Sequence, residues 1–292
     1  MRHSVHPRFF MRDTLKMPFE IRMLTSVSDI GLGSDFFKSV WGGSEDVVPV
    51  DIAIASGHAG GYFSGAFNAE GSMVAASYGF IGRHGALSTI HSHVTASRFP
   101  GAGFALKQHQ RCWASEHGFD AITWTFDPLV RRNCVFNLEK LGATAVEYLE
   151  NFYGVMNDEL NRGEESDRLF ALWPTAALNS GAVAGSNASS AASAGATPTT
   201  IDAVKVAVSI TEAGTPLLAE NIEAFAAARE PFAVYLPPDI EALRATNTAA
   251  ARSWRQTLRA ALQASFSSGA IVRQMIDNRA ALLVEWPSEG AK

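Results

Sequence analysis

The feature that most limits how this chain can fold is the run from Ala176 to Thr200, built almost wholly of Ala, Ser, Gly, Asn and Thr. It holds too few large apolar side chains to offset the entropy of ordering it, and is predicted to be a flexible linker. The expected organisation is a first domain over 1–175, the linker over 176–200, and a smaller accessory domain over 201–292. The 292 residues fit about two domains of ~150 residues. Hydrophobic residues at 47% against 18% charged leave apolar material for a core on both sides.

Before the linker, strand and helix patterns alternate. Phe19–Leu24 reads as a strand and Ile30–Trp41 as a helix. Tyr62–Phe67 and Met73–Phe80 flank Asn68-Ala69-Glu70-Gly71, a hairpin signature. Leu87–Val94 is another strand. Ala105, Leu106, Cys112 and Trp113 then recur at helical spacing up to Gly118. Ile122, Trp124 and Phe126 alternate as a strand, and Val130, Cys134, Leu138 and Leu141 form a helical stripe stopped by Gly142. Val146–Leu149 and Leu169–Trp173 complete the set. After the linker, strands at Val204–Ile210 and Phe232–Leu236 precede an amphipathic helix, Thr246–Ser268. Its apolar residues Trp254, Leu258, Leu262 and Phe266 stand at every fourth position, before a stop at Gly269. Ile271–Ile276 and Ala281–Trp286 form a hairpin across Asp277-Asn278-Arg279, giving a β-β-α-β-β unit.

Charge narrows the partners. The formal net charge is -5 with Lys and Arg dispersed, so no nucleic-acid backbone is expected as a partner. No stretch approaches the ~18 apolar residues of a membrane span, and no membrane partner is expected. Arg2, Arg8, Arg12 and Lys16 precede no apolar segment, so no signal peptide is expected, and Met11 or Met17 is an alternative start. Cys112 and Cys134 are too few for a disulfide framework and lack metal-ligand spacing, which points to a reducing, cytoplasmic setting with no metal.

The chemistry concentrates at one strand-loop-helix junction: Thr89-Ile-His-Ser-His-Val94, then Arg98-Phe-Pro-Gly-Ala-Gly103, then a helix from Phe104. Glycines allow a sharp turn and close ligand approach. The first amides of a helix lack internal partners, and its dipole favours an anion. A diphosphate fits main-chain nitrogens near Gly101, Ala102, Gly103, Phe104 and Ala105, with Arg98 and Lys107 adding charge. The second glycine is not followed by Lys-Ser or Lys-Thr, so this is no Walker loop. The Rossmann fingerprint would need a third glycine, early in the fold.

Arg98-x-x-Gly101-x-Gly103 after a strand resembles the coenzyme A pyrophosphate loop of GNAT acyltransferases. Longer stretches are more specific: Gly103-Phe-Ala-Leu-Lys-Gln-His-Gln-Arg111, Thr123-Trp-Thr-Phe-Asp-Pro128, Arg132-Asn133, Asn137-Leu-Glu-Lys-Leu-Gly142, and Tyr148 to Gly154. They are similar to a bacterial GNAT subgroup that accompanies N-acylamino-acid metabolism, over about Phe19 to Trp173. A less secure continuation lies at Ala251-x-x-Trp254-Arg255-x-x-x-Arg259. The resemblance implies an α+β fold: a mixed, splayed β-sheet flanked by helices, plus the small C-terminal unit. It implies an acyl-CoA co-substrate, acetyl or succinyl, and a small-molecule primary amine acceptor of amino-acid kind. It leaves a homodimer open.

Within that resemblance, the pantetheine arm would enter between the His91–His93 strand and the Trp124–Phe126 strand. Amides of Val94, Thr95 and Ala96 would polarise the thioester carbonyl. Asn133 would contact the pantetheine or adenine portion, with Asn137 one turn on. A histidine titrates near neutrality and suits deprotonation of the ammonium, His93 first and His91 second. Two departures from the family pattern point to the alternative, a catalytically impaired acyl-CoA-binding or interaction protein. Only Thr95, Ala96 and Ser97 separate Val94 from Arg98, and Leu138 stands where many members carry a proton-donating tyrosine, leaving Tyr148, Tyr153 or solvent to serve. Asp127 before Pro128 reads as turn chemistry, with a proton-accepting or acceptor-orienting role beside it. Arg131, Arg132, Arg255 and Arg259 read as solvated helix charges, yet together they motivate a carboxylated acceptor or acyl group. Trp124 and Trp254 read as core, and Cys134 as a buried inert thiol.

Overall fold

The computed structural model describes residues 18–42, 46–156, 163–175 and 201–287; the segment before Met17 and the linker expected at 176–200 lie outside these described residues. The chain begins β1 (Phe19–Met23), α1 (Val27–Trp41), α2 (Val50–His58), β2 (Tyr62–Asn68), β3 (Met73–His84), β4 (Leu87–Ser97) and α3 (Ala102–Glu116). It continues with β5 (Ala121–Phe126), α4 (Arg131–Cys134) running into a π-helical stretch Val135–Lys140, β6 (Thr144–Leu149), the short pair β7 (Val155–Met156) and β8 (Glu164–Glu165), and β9 (Arg168–Pro174). Beyond the linker come β10 (Lys205–Ile210), β11 (Pro216–Leu218), α5 (Ile222–Ala228), β12 (Phe232–Tyr235), α6 (Ile240–Thr246), α7 (Thr248–Ser267), β13 (Ile271–Ile276) and β14 (Ala281–Glu285).

Local chemistry explains most of these limits. The Ser26 hydroxyl accepts from the Asp29 amide and opens α1, and Gly42 at φ +71° closes it. On α1's inner face, Phe37 stacks on Phe63 of β2 at 5.9 Å between ring centres. The β2–β3 turn uses the Asn68 side chain to accept from the Ser72 amide, with Gly71 at φ +77°. α7 starts at Thr248, because the Asn247 side chain caps it through the Ala250 amide, and the residues before it form the separate helix α6. The C-terminal hairpin turns on Asp277, Asn278 and Arg279, all at positive φ. α2, β11, α5 and α6 have no counterpart among the expected elements.

The fold is α+β. Among the described residues twelve strands form one mixed sheet, ordered β1-β2-β3-β4-β5-β9-β6-β13-β14-β12-β10-β11, with helices packed against it. The sheet continues across the two parts of the chain through one bridge, Val272 of β13 against Ala145 of β6. Beneath it a single core cluster joins Leu138 and Trp173 to Trp254, Leu258 and Val272.

Two irregularities position the site. β4 and β5 run parallel but pair only from Thr89–Ala121 to His91–Thr123. Beyond that point β4 continues to Ser97 against β3, while β5 continues to Phe126 against β9, so the two strands part. Secondly, Val94 pairs with Tyr78 and His91 with Phe80, which leaves one more residue on β4 than on β3. This bulge at Ser92–His93 re-aims the main chain where the strands separate.

Candidate functional site

The parting of β4 and β5 opens a cleft of about 670 Å³ whose walls include His93, Val94, Thr95 and Ala96 on one side and Trp124, Thr125 and Phe126 on the other. Once β5 leaves, main-chain groups on that edge of β4 have no strand to pair with. The cleft runs into a groove of about 810 Å³ over the start of α3, and the two share Ser97, Gly103 and Phe136. Gly101 caps α3 at φ +84° with open space around its Cα, so backbone conformation is what requires a glycine here. The Ala102 amide bonds to Phe99 and the Ala105 amide to Gly101, leaving the Gly103 and Phe104 amides as the donors a helix start leaves open. Arg98 and Lys140 flank this groove, although the Arg98 guanidinium is turned to the Ser39 carbonyl and the Phe36 ring.

Asn133 and Asn137 both line the cleft, and the Asn137 side chain accepts from the Trp124 indole N–H at 3.1 Å. Asn137 lies in the π-helical stretch, whose wider turn is closed by the Ala143 amide bonding back to its carbonyl. Leu138 is buried in the core.

Lys107 is not placed as expected. Rather than meeting a diphosphate, it is 5% exposed on the cleft wall; its ammonium donates to Ser92 Oγ at 2.7 Å and lies 4.1 Å from the centre of the Trp124 ring. Among the described residues no salt bridge to a carboxylate accompanies it, and burial pulls its pKa down to about 7. Its periodicity within α3 gave no sign of this, because the void that α3 covers is made by two strands distant in sequence.

His91 and His93 face one side of the sheet, both against Phe80. The His91 ring bonds to Thr123 Oγ1 at 3.1 Å and stacks on Phe170, and burial, with His93 and Lys107 nearby, lowers its pKa to about 4. His93 is the more open of the two, on the cleft rim, and partial burial lowers its pKa as well. Tyr148 does not join them. Its hydroxyl donates to Asp167, which Arg259 grips in turn, and burial followed by that carboxylate raises its pKa.

The other arginines singled out in the sequence have protein partners, Arg132 as an exposed surface charge and the rest more enclosed than solvated charges. Arg132 forms a two-pronged pair with Glu241 of α6 (2.7 Å for one prong), and Arg131 donates to the Leu236 carbonyl at 2.5 Å. Arg259 binds Glu150, Glu165 and Asp167. Asp127 supplies the expected turn, accepting from the Leu129 amide, but it is also buried among three guanidiniums: Arg244 at 2.5 Å, Arg255 at 3.7 Å and Arg168 at 3.9 Å. Burial alone would raise its pKa; these cations outweigh that and lower it. Arg244 was not singled out in the sequence, since its partner lies 117 residues away.

No protein-family model and no curated protein matches the chain. Among solved structures it is similar to a GNAT superfamily phosphinothricin acetyltransferase from Sinorhizobium meliloti in complex with AcCoA (16% identity, 54% of this chain and 89% of that one, TM-score 0.45). It is also similar to the ribosomal-protein-S18-alanine N-acetyltransferase from Escherichia coli (14% identity, 58% and 97%, TM-score 0.43). A third is the ribosomal-protein-S5-alanine acetyltransferase from Vibrio fischeri (10% identity, 60% and 100%, TM-score 0.43).

Proposed function

We propose that the chain is an acyl-CoA-dependent N-acyltransferase that moves an acetyl or succinyl group to an amino-acid-like primary amine. The observation that carries this reading is the parting of β4 and β5 after the His91–Thr123 pair, into a cleft that ends on the open amides of α3. In it, the diphosphate of coenzyme A lies on the Gly103 and Phe104 amides. The pantetheine arm runs between the strands past Asn133 and Asn137. The thioester carbonyl meets a β4 main-chain N–H at the bulge, which stabilises negative charge on oxygen as the amine attacks.

Proton transfer is divided between the two faces of the sheet. His93, open on the rim, takes a proton from the incoming ammonium directly or through water; His91, bonded to Thr123 and held neutral, is less suited. On the opposite face Lys107 holds a proton that it can release near neutral pH, and supplies it to the departing thiolate in place of a tyrosine. Tyr148 is committed to Asp167 and has no part in that step.

Calorimetric titration with acetyl-CoA, followed by a screen of amines read as free-thiol release, tests the reading. His93→Ala is expected to slow turnover about 100-fold while CoA affinity is retained. Binding without thiol release from any amine would support the non-catalytic alternative. No heat of binding would remove both.

A further inference from the structure

The most unusual polar group in the interior is the one around Asp127. Three guanidiniums, on Arg168, Arg244 and Arg255, surround one carboxylate, and Arg244 and Arg255 are each only 3% exposed. Arg244 spends one nitrogen on Asp127, but its Nε has no hydrogen-bond partner among the described residues. Arg255 reaches Asp127 at 3.7 Å, too long for a hydrogen bond, and its Nε and Nη1 have none either. Among the described residues, the other carboxylates near Arg244 and Arg255 are committed. Asp167 contributes to the field at Arg255 but is gripped by Arg259, and Glu241 is taken by Arg132. Burying cations beyond their counter-charge is costly, and such groups persist where something else completes the pairing. Arg244 and Asp127 line the cleft between the parted strands, with Arg168 also on its wall, so the charge that Arg244 and Arg255 share around Asp127 borders the space where the reactants would lie.

From this we infer that the cleft contains a carboxylate-binding subsite whose wall is formed by Arg244 with Arg168, backed through Asp127 by Arg255 and assembled from both parts of the chain. It rests on the acyltransfer reading above and deepens it by assigning the side chains that hold the carboxylate of one reactant. Planar guanidinium forks match a carboxylate better than a point cation would. Asp127 holds the forks in place. It is a positioning residue and not the base, because the same cations keep it ionised. The carboxylate comes either from the acceptor, as in an α-amino acid, or from the acyl group, as in a succinyl thioester.

The experiment has two arms and a control independent of turnover. With acetyl-CoA, amino acids are compared with the corresponding amino-acid amides, in which the carboxylate is replaced by a neutral carboxamide. With a neutral amine as acceptor, succinyl-CoA is compared with acetyl-CoA. The full-length chain is expected to prefer the carboxylated member in one arm by on the order of 50-fold in kcat/KM. Arg244→Met is expected to reduce that preference to within a few-fold, and Arg244→Lys to leave it intermediate. The arm in which the preference is lost identifies the source. Arg244→Met should fold, since Asp127 keeps Arg168 and Arg255 as counter-charges. If no amine is acylated at all, the proposed activity fails, yet the subsite is still tested by thermal unfolding with succinate against sodium chloride of equal ionic strength. A succinate-dependent rise in Tm that Arg244→Met abolishes supports the subsite. Equal preference or equal stabilisation in the parent chain and the variant overturns it.

Discussion

Lys107 shows how one side chain can link stability to chemistry. Its ordinary pKa is 10.5 and its folded value is about 7, the difference arising from burial without a carboxylate. Below about pH 7 folded and unfolded chains both carry the proton, and the folded state bears the full cost of holding a buried charge. Between about pH 7 and 10.5 the unfolded chain still binds the proton while the folded chain has released it, so this group makes stability rise with pH. Replacing it by an apolar side chain of similar length removes the cost. Lys107→Met is therefore expected to be more stable than the parent at pH 6.5, by on the order of 2 kcal/mol. That advantage should shrink toward pH 10. Urea unfolding at a series of pH values gives the comparison, with His91, which Lys107 helps to hold neutral, titrating below the range compared. An advantage that does not change with pH would show that Lys107 is not held neutral in the fold. The same variant should lose turnover if the lysine serves the thiolate, which would place a stabilising change and a loss of activity at one position.

At the level of the element, the start of α3 is where sequence and geometry agree most directly. Gly103 sits two residues after the cap, and a Cβ there would meet only Ser97 Cβ, at an ordinary 3.4 Å. A carboxylate in the first turn of a helix interacts favourably with the helix dipole. Gly103→Asp is thus expected to leave the thermal midpoint unchanged or slightly raised, while CoA affinity falls about tenfold or more through repulsion of the diphosphate. Calorimetry beside a melting curve separates the two effects; affinity equal to the parent's would move the diphosphate away from this turn. The junction was legible because its signals are local: the closely spaced Gly101 and Gly103, the two-residue spacing of His91 and His93 on β4, and the Asn133–Asn137 spacing. α2 was not, because Val50, Ile52 and Ile54 alternate like a strand; it is helical with Ala53 turned inward and Ile52 and Ile54 left exposed. The π-helical turn is similarly silent, since nothing local distinguishes Val135–Lys140 from an ordinary helix. The roles of Lys107 and Arg244 depend on which distant strands and helices close over them, and periodicity carries no such information.

At the scale of the whole molecule, the question is whether the two parts of the chain behave as one. The linker composition alone suggests independence, yet three kinds of contact oppose it. The sheet bridges Ala145 to Val272, the core cluster runs beneath both parts, and Arg131 and Arg132 tie to Leu236 and Glu241. Asp127 is the most demanding of these links, because it belongs to the first part while Arg244 and Arg255 belong to the second. Asp127→Asn keeps an acceptor for the Leu129 amide but leaves the buried guanidiniums without their shared counter-charge. Breaking a buried pair in this way costs roughly 3–5 kcal/mol, a fall in Tm of about 10 °C for a protein of this size. If the parts are coupled, calorimetry of the variant shows a single transition moved to lower temperature, because loss of the link destabilises both sides of it together. Two separated transitions, with only the C-terminal one shifted, would mean that the parts unfold independently. The cleft would then lie at the junction of two bodies free to move against each other, and Arg244 would be brought to the reactants by docking and not by the fold itself.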